Sequence, residues 1–500
     1  MLLFNVCRLA LLFMVVQSIF LTGCAKHVRE TSVWQPDPIL LELGQQRHQV
    51  CLSLSGGGLR SAAFSIGVMQ GLHDLGLLDG NTIVSATSGG AYAASWLYIA
   101  DQLRGMGLST ALDSSGPEQR RLARDVGAFM NRPLAIYAAT TGLVLEPPFF
   151  ASRRFSCSDG KATLRPSGGS PAYGFSISRV FHGSHDVQTL RMDSRLKAAS
   201  AESGTLRLPI ISVSMTSGAE PSCDRDFLRE DLTAAWFSES GLTTIKGEKF
   251  LVGNISFRSL ITSAGAAIDV SPRLLDFGND EVGNSRDYPR LDVCSLPSIF
   301  RPRLGHAFCA TNYNSDTNLK FITDGGFTDN LALLPLLDED CTVIISSDAS
   351  HDPTLTFGAS LRQIEEHLQT HGLDTQGIIE QIRPKGDYPS EAFLADRSLT
   401  SVAGGELNGS RSFWLLKLSV PESGSSHVFP DSVQKRLFEE KDLNFGVNGC
   451  MGDGLSKRCR FPQQTTVVQA YSSETFTAYR DLGRWIVREQ LSWRLRDALN

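Results

Sequence analysis

The chain has no surplus of positive charge: 47 Lys and Arg stand against 53 Asp and Glu, a formal net charge of −6. Nucleic-acid binding needs a basic surface to displace counterions from phosphates, so nucleic acid is not an expected partner. It has no C-x-x-C pair among its 10 Cys, and a tetrahedral zinc site is therefore not expected. It lacks the Gly-Lys-Ser/Thr that closes a phosphate-binding P-loop, and the run Gly56-Gly57-Gly58 after a strand pattern fails G-x-G-x-x-G, because Ser61 occupies the last glycine position. No G-X-Y period, fixed repeat or low-complexity tract is present, which excludes fibrous and solenoid architectures. Beyond the first twenty residues no apolar run reaches the roughly 18 residues of a membrane span. What is present is an ordinary globular balance, 42% hydrophobic and 20% charged, which excludes wholesale disorder. Five hundred residues exceed what one core of about 250–300 residues can organise, so either two domains or one large domain with insertions is expected.

The N-terminus carries one basic residue, Arg8, and then Leu9 to Phe20 with only Gln17 and Ser18 polar. That length suits a signal-peptide core and is short for a membrane span. The run ends in Leu21-Thr22-Gly23-Cys24, which resembles the lipobox of bacterial lipoproteins. The resemblance implies cleavage after residue 23, lipidation of Cys24, a tether over 24–47, and a lipid-anchored place in the bacterial cell envelope, with Ala25 favouring the outer membrane. Several acyl chains on one Cys anchor firmly, at about 0.8 kcal/mol per buried methylene. Such a compartment permits disulfides. Cys450 and Cys459, flanking a Gly-rich stretch, make a plausible small loop, with Cys294 and Cys309 a weaker pair.

From residue 48 the pattern changes. His48–Ser55 reads as a buried strand, Gly56-Gly57-Gly58 as a turn, and Ala62–Leu75 as a helix by its apolar spacing. Thr82–Thr87 repeats the strand, Ser88-Gly89-Gly90 the turn, and Ala91–Ala100 the helix. This rhythm is that of a parallel α/β sheet. Residues 105–206 interrupt it with Pro133, Pro147, Pro148, Pro166 and Pro171 among their prolines and an apolar stretch, Leu134–Val144, and are read as an insertion that either caps the site or forms a surface excursion. Strands are expected again at Leu208–Met215, Phe250–Phe257, Leu319–Thr323, Cys341–Ser347 and Phe413–Val420, and an amphipathic helix over Glu474–Leu499.

Three constellations can carry chemistry. In Ala86-Thr87-Ser88-Gly89-Gly90, a Ser sits between a strand and a helix, the arrangement of a nucleophile elbow, although the first glycine of G-x-S-x-G is Ala. Taken alone, such a Ser can equally be a helix N-cap. In Ser55-Gly56-Gly57-Gly58-Leu59-Arg60, consecutive glycines turn several backbone N–H groups in one direction, which suits an oxyanion or a phosphate, and Arg60 either anchors a head group or holds the loop. In Thr323-Asp324-Gly325-Gly326, followed by Asp329-Asn330, a carboxylate at a strand end is a candidate base or a turn cap. Thr262-Ser263-Ala264-Gly265 has no glycine loop nearby in sequence and is read as packing. His306 could complete a triad, and His367 and His371, four apart, suit a solvated helix face better than a metal.

Together the three elements resemble the patatin-like phospholipases, in the branch with GGGxR and DGGxxDN motifs, over about His48 to Pro335. The resemblance implies a three-layer α/β/α sheet with a large helical or irregular insertion, a catalytic domain over 48–350 and a C-terminal extension over 351–500 that completes it. It implies Ser88 as nucleophile, Asp324 as its partner, Gly56, Gly57 and Gly58 as the oxyanion hole, and Arg60 as substrate or loop anchor. The implied activity is acyl-ester hydrolysis of phospholipid or lysophospholipid, with no cofactor and no metal ligand. The alternative is a lipid-binding lipoprotein scaffold that keeps the fold without catalysis.

Overall fold

The computed structural model describes residues 49–129, 153–158, 161–164, 177–183, 206–217, 232–252, 257–265, 319–352, 355–382, 400–420, 429–439, 450–451, 458–464 and 471–499. Cys24, the tether, Leu134–Val144, Cys294, Cys309 and His306 lie outside them.

The chain enters through β1 (Val50–Leu54), α1 (Gly58–Asp74), β2 (Ile83–Ala86) and α2 (Ser88–Tyr98). Helix α3 (Pro117–Phe129) and strands β3 (Arg153–Ser158) and β4 (Lys161–Leu164) follow. Then come β5 (Ile210–Ser217), β6 (Thr233–Ser238), β7 (Gly241–Thr244), β8 (Lys249–Val252), α4 (Phe257–Ala264) and β9 (Leu319–Asp324). The last part supplies β10 (Val343–Asp348), α5 (Thr375–Ile382), β11 (Val402–Leu407), β12 (Arg411–Lys417) and α6 (Ser473–Ile486).

Among the described residues, twelve strands form one mixed sheet in the order β11-β12-β10-β1-β2-β5-β6-β7-β8-β4-β3-β9, with β9 also paired to β5. Its centre, β12-β10-β1-β2-β5, is parallel. A parallel sheet is covered on both faces, so its strands need apolar or small residues throughout. Accordingly, every residue of β1 is buried, Ser53 included, and Ser53 Oγ donates to Ser346 Oγ of β10 at 2.8 Å. Alternation along the strands divides two layers. Cys51, Ile344, Phe413 and Leu415 share a core with Leu334, Leu361 and Ile378 on one face. Helices α1 and α6 pack along each other in the layer against the other face, tied by Arg484 Nε and Asp74 Oδ2 at 2.7 Å.

The periodicity places the strand–turn–helix pairs and the C-terminal helix correctly, with ends shifted by a few residues. The terminal helix is interrupted by a π-helical turn, Val487–Leu491, before Ser492–Leu499. Within the stretch read as an insertion, the described elements join the main body. Arg104 and Arg121 clasp Glu118 of α3, which also accepts from Trp96 Nε1 of α2, while β3 and β4 pair with β9 and β8. A disulfide joins Cys51 in β1 to Cys341 just before β10, a pair 290 residues apart that spacing does not suggest. Cys459 is disulfide-bonded, and its two-residue strand places Cys450 directly opposite.

Candidate active site

Sheet register builds the site. Ala86, the last residue of β2, is level with Leu54 of β1 and with Ile211 of β5. Two residues beyond Ala86 is Ser88; two beyond Ile211 is Val213, opposite which β9 sets Asp324. The two side chains therefore meet at the carboxyl edge of the parallel strands, the edge where ligands bind in open α/β sheets. Ser88 Oγ donates to Asp324 Oδ2 at 2.9 Å.

The turn that presents Ser88 is strained. Thr87 is extended, and Ser88 has φ +48°, a left-handed conformation that a non-glycine residue adopts at a cost of about 1–3 kcal/mol. Thr87 holds the turn by donating from Oγ1 to Ser212 O at 3.3 Å and from N to Leu54 O at 3.1 Å. Ser88 is thus no helix cap: the cap position is Thr87, without a side-chain cap bond, and the Ser88 hydroxyl is turned to the carboxylate.

The glycine loop lies against this turn. A Cβ on Gly89 would fall 1.9 Å from Gly58 O, so no side chain fits between the first turn of α2 and the loop. Gly57, at φ +137°, leaves no room for one either: its Cβ would meet Ala349 O at 2.5 Å. The structure corrects the expectation for Gly56. Its N–H donates to Asn330 O at 2.8 Å, so the amide is committed to the loop's support, and the glycine provides clearance, since a Cβ would lie 2.1 Å from Asn330 Oδ1 and 3.2 Å from Ser88 Cβ. The N–H groups of Gly57 and Gly58 stand at the unsatisfied start of α1, whose dipole favours negative charge. Arg60 is fully buried. Its Nε and Nη2 donate to Ala349 O at 3.2 and 2.9 Å, and Nη1 donates to Gln464 O, so it holds the loop from behind.

Asp324 is both turn cap and partner. Its Oδ1 accepts from Gly326 N at 2.8 Å, and its Oδ2 from Ser88. Burial pushes the carboxyl up to about 7, against the opposing effect of these two hydrogen bonds. Asp329, also pushed up by burial, to about 6, accepts from Leu334 N at 2.8 Å and shapes the following turn. Gln363, which the sequence did not single out, bridges that turn by donating to Gly326 O and accepting from Asn330 N, each at 2.9 Å. Ser263 is buried within α4, in keeping with packing. His371 Nδ1 lies 2.8 Å from His367 O on an exposed helix end. Among the described residues no group of three or more His, Cys, Asp or Glu is arranged to hold a metal.

Residues 52–156 match the family model of patatin-like phospholipases. Over those residues the chain is similar to that family. The matched span includes the glycine loop and Ser88 but ends before Asp324. No curated protein is significantly similar in sequence. Among solved structures, human GIVD cytosolic phospholipase A2 in complex with a methyl γ-linolenyl fluorophosphonate inhibitor and terbium chloride is 17% identical, at a TM-score of 0.49, over 92% of this chain and 62% of that one. Another structure of human GIVD cytosolic phospholipase A2 is 16% identical, at a TM-score of 0.49, over 92% and 63%. VipD from Legionella pneumophila is 12% identical, at a TM-score of 0.24, over 78% and 64%. The chain spans less than two thirds of the length of each.

Proposed function

We propose that the protein is a serine acyl hydrolase that cleaves the carboxylic esters of phospholipids or lysophospholipids through a Ser88–Asp324 dyad. The observation that carries this reading is the 2.9 Å bond between Ser88 Oγ, on its strained turn, and the buried Asp324 carboxylate. Ser88 Oγ attacks the ester carbonyl, and Asp324 Oδ2 takes the hydroxyl proton. The Gly57 and Gly58 amides receive the developing oxyanion, where fixed donors in a dry site act most strongly. Asp324 then gives the proton to the departing alcohol. Water, deprotonated by the same carboxylate, releases the fatty acid from the acyl-enzyme. An Asp is a weak base in water, and a group that titrates near 7 is far better matched to proton transfer at neutral pH. Arg60 serves as loop anchor in this scheme, because its donors are engaged by carbonyls behind the loop.

Lipidation of Cys24 would hold the enzyme on a membrane of the cell envelope, within reach of lipid substrate, an arrangement supported by the lipobox resemblance. Two measurements test the proposal. Purified protein should release fatty acid from phosphatidylcholine or lysophosphatidylcholine vesicles, and a fluorophosphonate probe should label it at Ser88. Rates equal to those of Ser88→Ala, with no labelling, would leave a lipid-binding scaffold instead.

A further inference from the structure

Behind the glycine loop lies a second set of buried charges that the dyad does not use. Asp348 and Lys417 are level at the ends of β10 and β12. Lys417 Nζ reaches Asp348 Oδ2 at 2.9 Å, Ser350 Oγ at 3.0 Å and Asp352 Oδ2 at 3.1 Å, with all three charged side chains essentially inaccessible. Its three donors are therefore used, and the Phe357 ring lies 4.8 Å away. The carboxylates are equally engaged: Asp348 Oδ1 accepts from Ser350 N and Oγ, and Asp352 accepts from Thr356 N and Phe357 N. Gln463 adds a strap, accepting from Asp352 N and donating to Leu418 O, each at 2.9 Å.

This network fixes the peptide of Ala349, which it brackets on both sides. Ala349 in turn holds both ends of the glycine loop. Its N–H donates to Ser55 Oγ at 2.7 Å, just before the glycines, and its carbonyl accepts from Arg60 just after them. The same carbonyl is the atom that leaves Gly57 no room for a side chain. Buried ion pairs are weak evidence for stability, since apolar replacements often do as well, so a fully satisfied cluster placed here invites another role. We infer that Lys417 is a positioning residue: by holding Asp348, Ser350 and Asp352 in one place it sets Ala349, and through Ala349 it sets the Gly57 and Gly58 amides that receive the oxyanion. The inference rests on the acyl-hydrolase reading above.

The test is steady-state kinetics on the full-length protein with a soluble ester, comparing wild type, Ser88→Ala, Lys417→Met and Asp352→Asn. Active sites are counted by fluorophosphonate labelling carried to completion. With Lys417 removed, two carboxylates face each other without a cation, Ala349 shifts, and the amides lose aim. The expected result is a fall in kcat per labelled site of about 100-fold, the scale of losing one oxyanion donor, with KM within about 3-fold of wild type. Asp352→Asn keeps the shape but removes one charge and one of the two acceptor oxygens, and should lower kcat by roughly 10-fold in the same pattern. A merely structural role would lower the number of labelled sites and leave kcat per site unchanged; that outcome overturns the inference. If Lys417→Met does not fold, Asp352→Asn decides, and an unchanged kcat per site overturns the inference. A wild type no faster than Ser88→Ala removes the parent reading, and this one with it.

Discussion

Helix α2 carries two buried serines, seven residues apart, and each faces a titratable group. Ser88 Oγ meets Asp324 at 2.9 Å, and Ser95 Oγ meets His182 Nε2 at 2.9 Å. By residue type the second pair is the more familiar nucleophile and base. Its surroundings oppose that role. Ser95 is mid-helix, wholly buried, and also bonded to Tyr92 O at 3.1 Å; a proton given to that carbonyl makes His182 Nε2 the donor, the reverse of a base. Among the described residues His182 Nδ1 has no hydrogen-bond partner to fix the tautomer, and burial, helped by Arg258 and Arg121, holds the imidazole down to about 3. Ser88, in contrast, opens the helix on a strained turn, beside a glycine loop, opposite a carboxylate that titrates near 7. The comparison teaches that location decides chemistry: a strand tip with amide donors makes a reactive site, and a helix interior makes a packing contact.

Exchange of each serine is the sharpest way to break this contrast. Ser88→Ala should lower kcat for ester hydrolysis by about 1,000-fold or more, whereas Ser95→Ala should stay within about 3-fold of wild type. Comparable losses from both would show that the second pair takes part. Asp324→Asn keeps an acceptor for Gly326 N but loses the base, and should cost about 100-fold or more in kcat with the protein still folded by circular dichroism.

The pH profiles should separate the pairs further. As a base, Asp324 must be ionised, so kcat/KM should rise about tenfold per pH unit below about 7 and level off above it. A flat profile between pH 5 and 8 would remove Asp324 from that role. Stability runs in opposite senses at the two sites. Asp324 has a folded value raised from 3.8 to about 7, so its contribution is present at low pH and is lost as pH rises through that window. His182 has a folded value lowered from 6.5 to about 3, so its contribution is present above 6.5 and is lost as pH falls towards 3. The smallest effect follows from the latter: His182→Gln should flatten the loss of thermal stability between pH 6 and 4 while leaving kcat nearly unchanged. A changed kcat would make His182 more than packing.

Much of the site was legible because it is local. A glycine run after an apolar strand, a Ser before two glycines, and an Asp before two glycines each declare a turn at a strand end, where backbone sterics restrict the choice of residue. The roles of the amides were less legible. Gly56, Gly57 and Gly58 look alike in sequence, yet the Gly56 N–H is committed to Asn330 O, 274 residues away along the chain, and only folding reveals this. The hairpin of β6 and β7 and the edge strand β11 carry little apolar alternation, and β11 includes two glycines, so period-2 patterning missed them. Gln363, Ala349 and Lys417 gave no signal, since a Gln, an Ala and a Lys are unremarkable until buried against particular partners.

The sequence by itself determined the strand–turn–helix rhythm, the glycines at the two turns, and which hydroxyl and carboxyl groups stand at strand ends, because local sterics and periodicity act over a few residues. Tertiary structure decided that Asp324 lies beside Ser88, that Cys51 joins Cys341, and that a buried lysine backs the loop. Those contacts span tens to hundreds of residues, and sheet register, closed by the whole core, sets them.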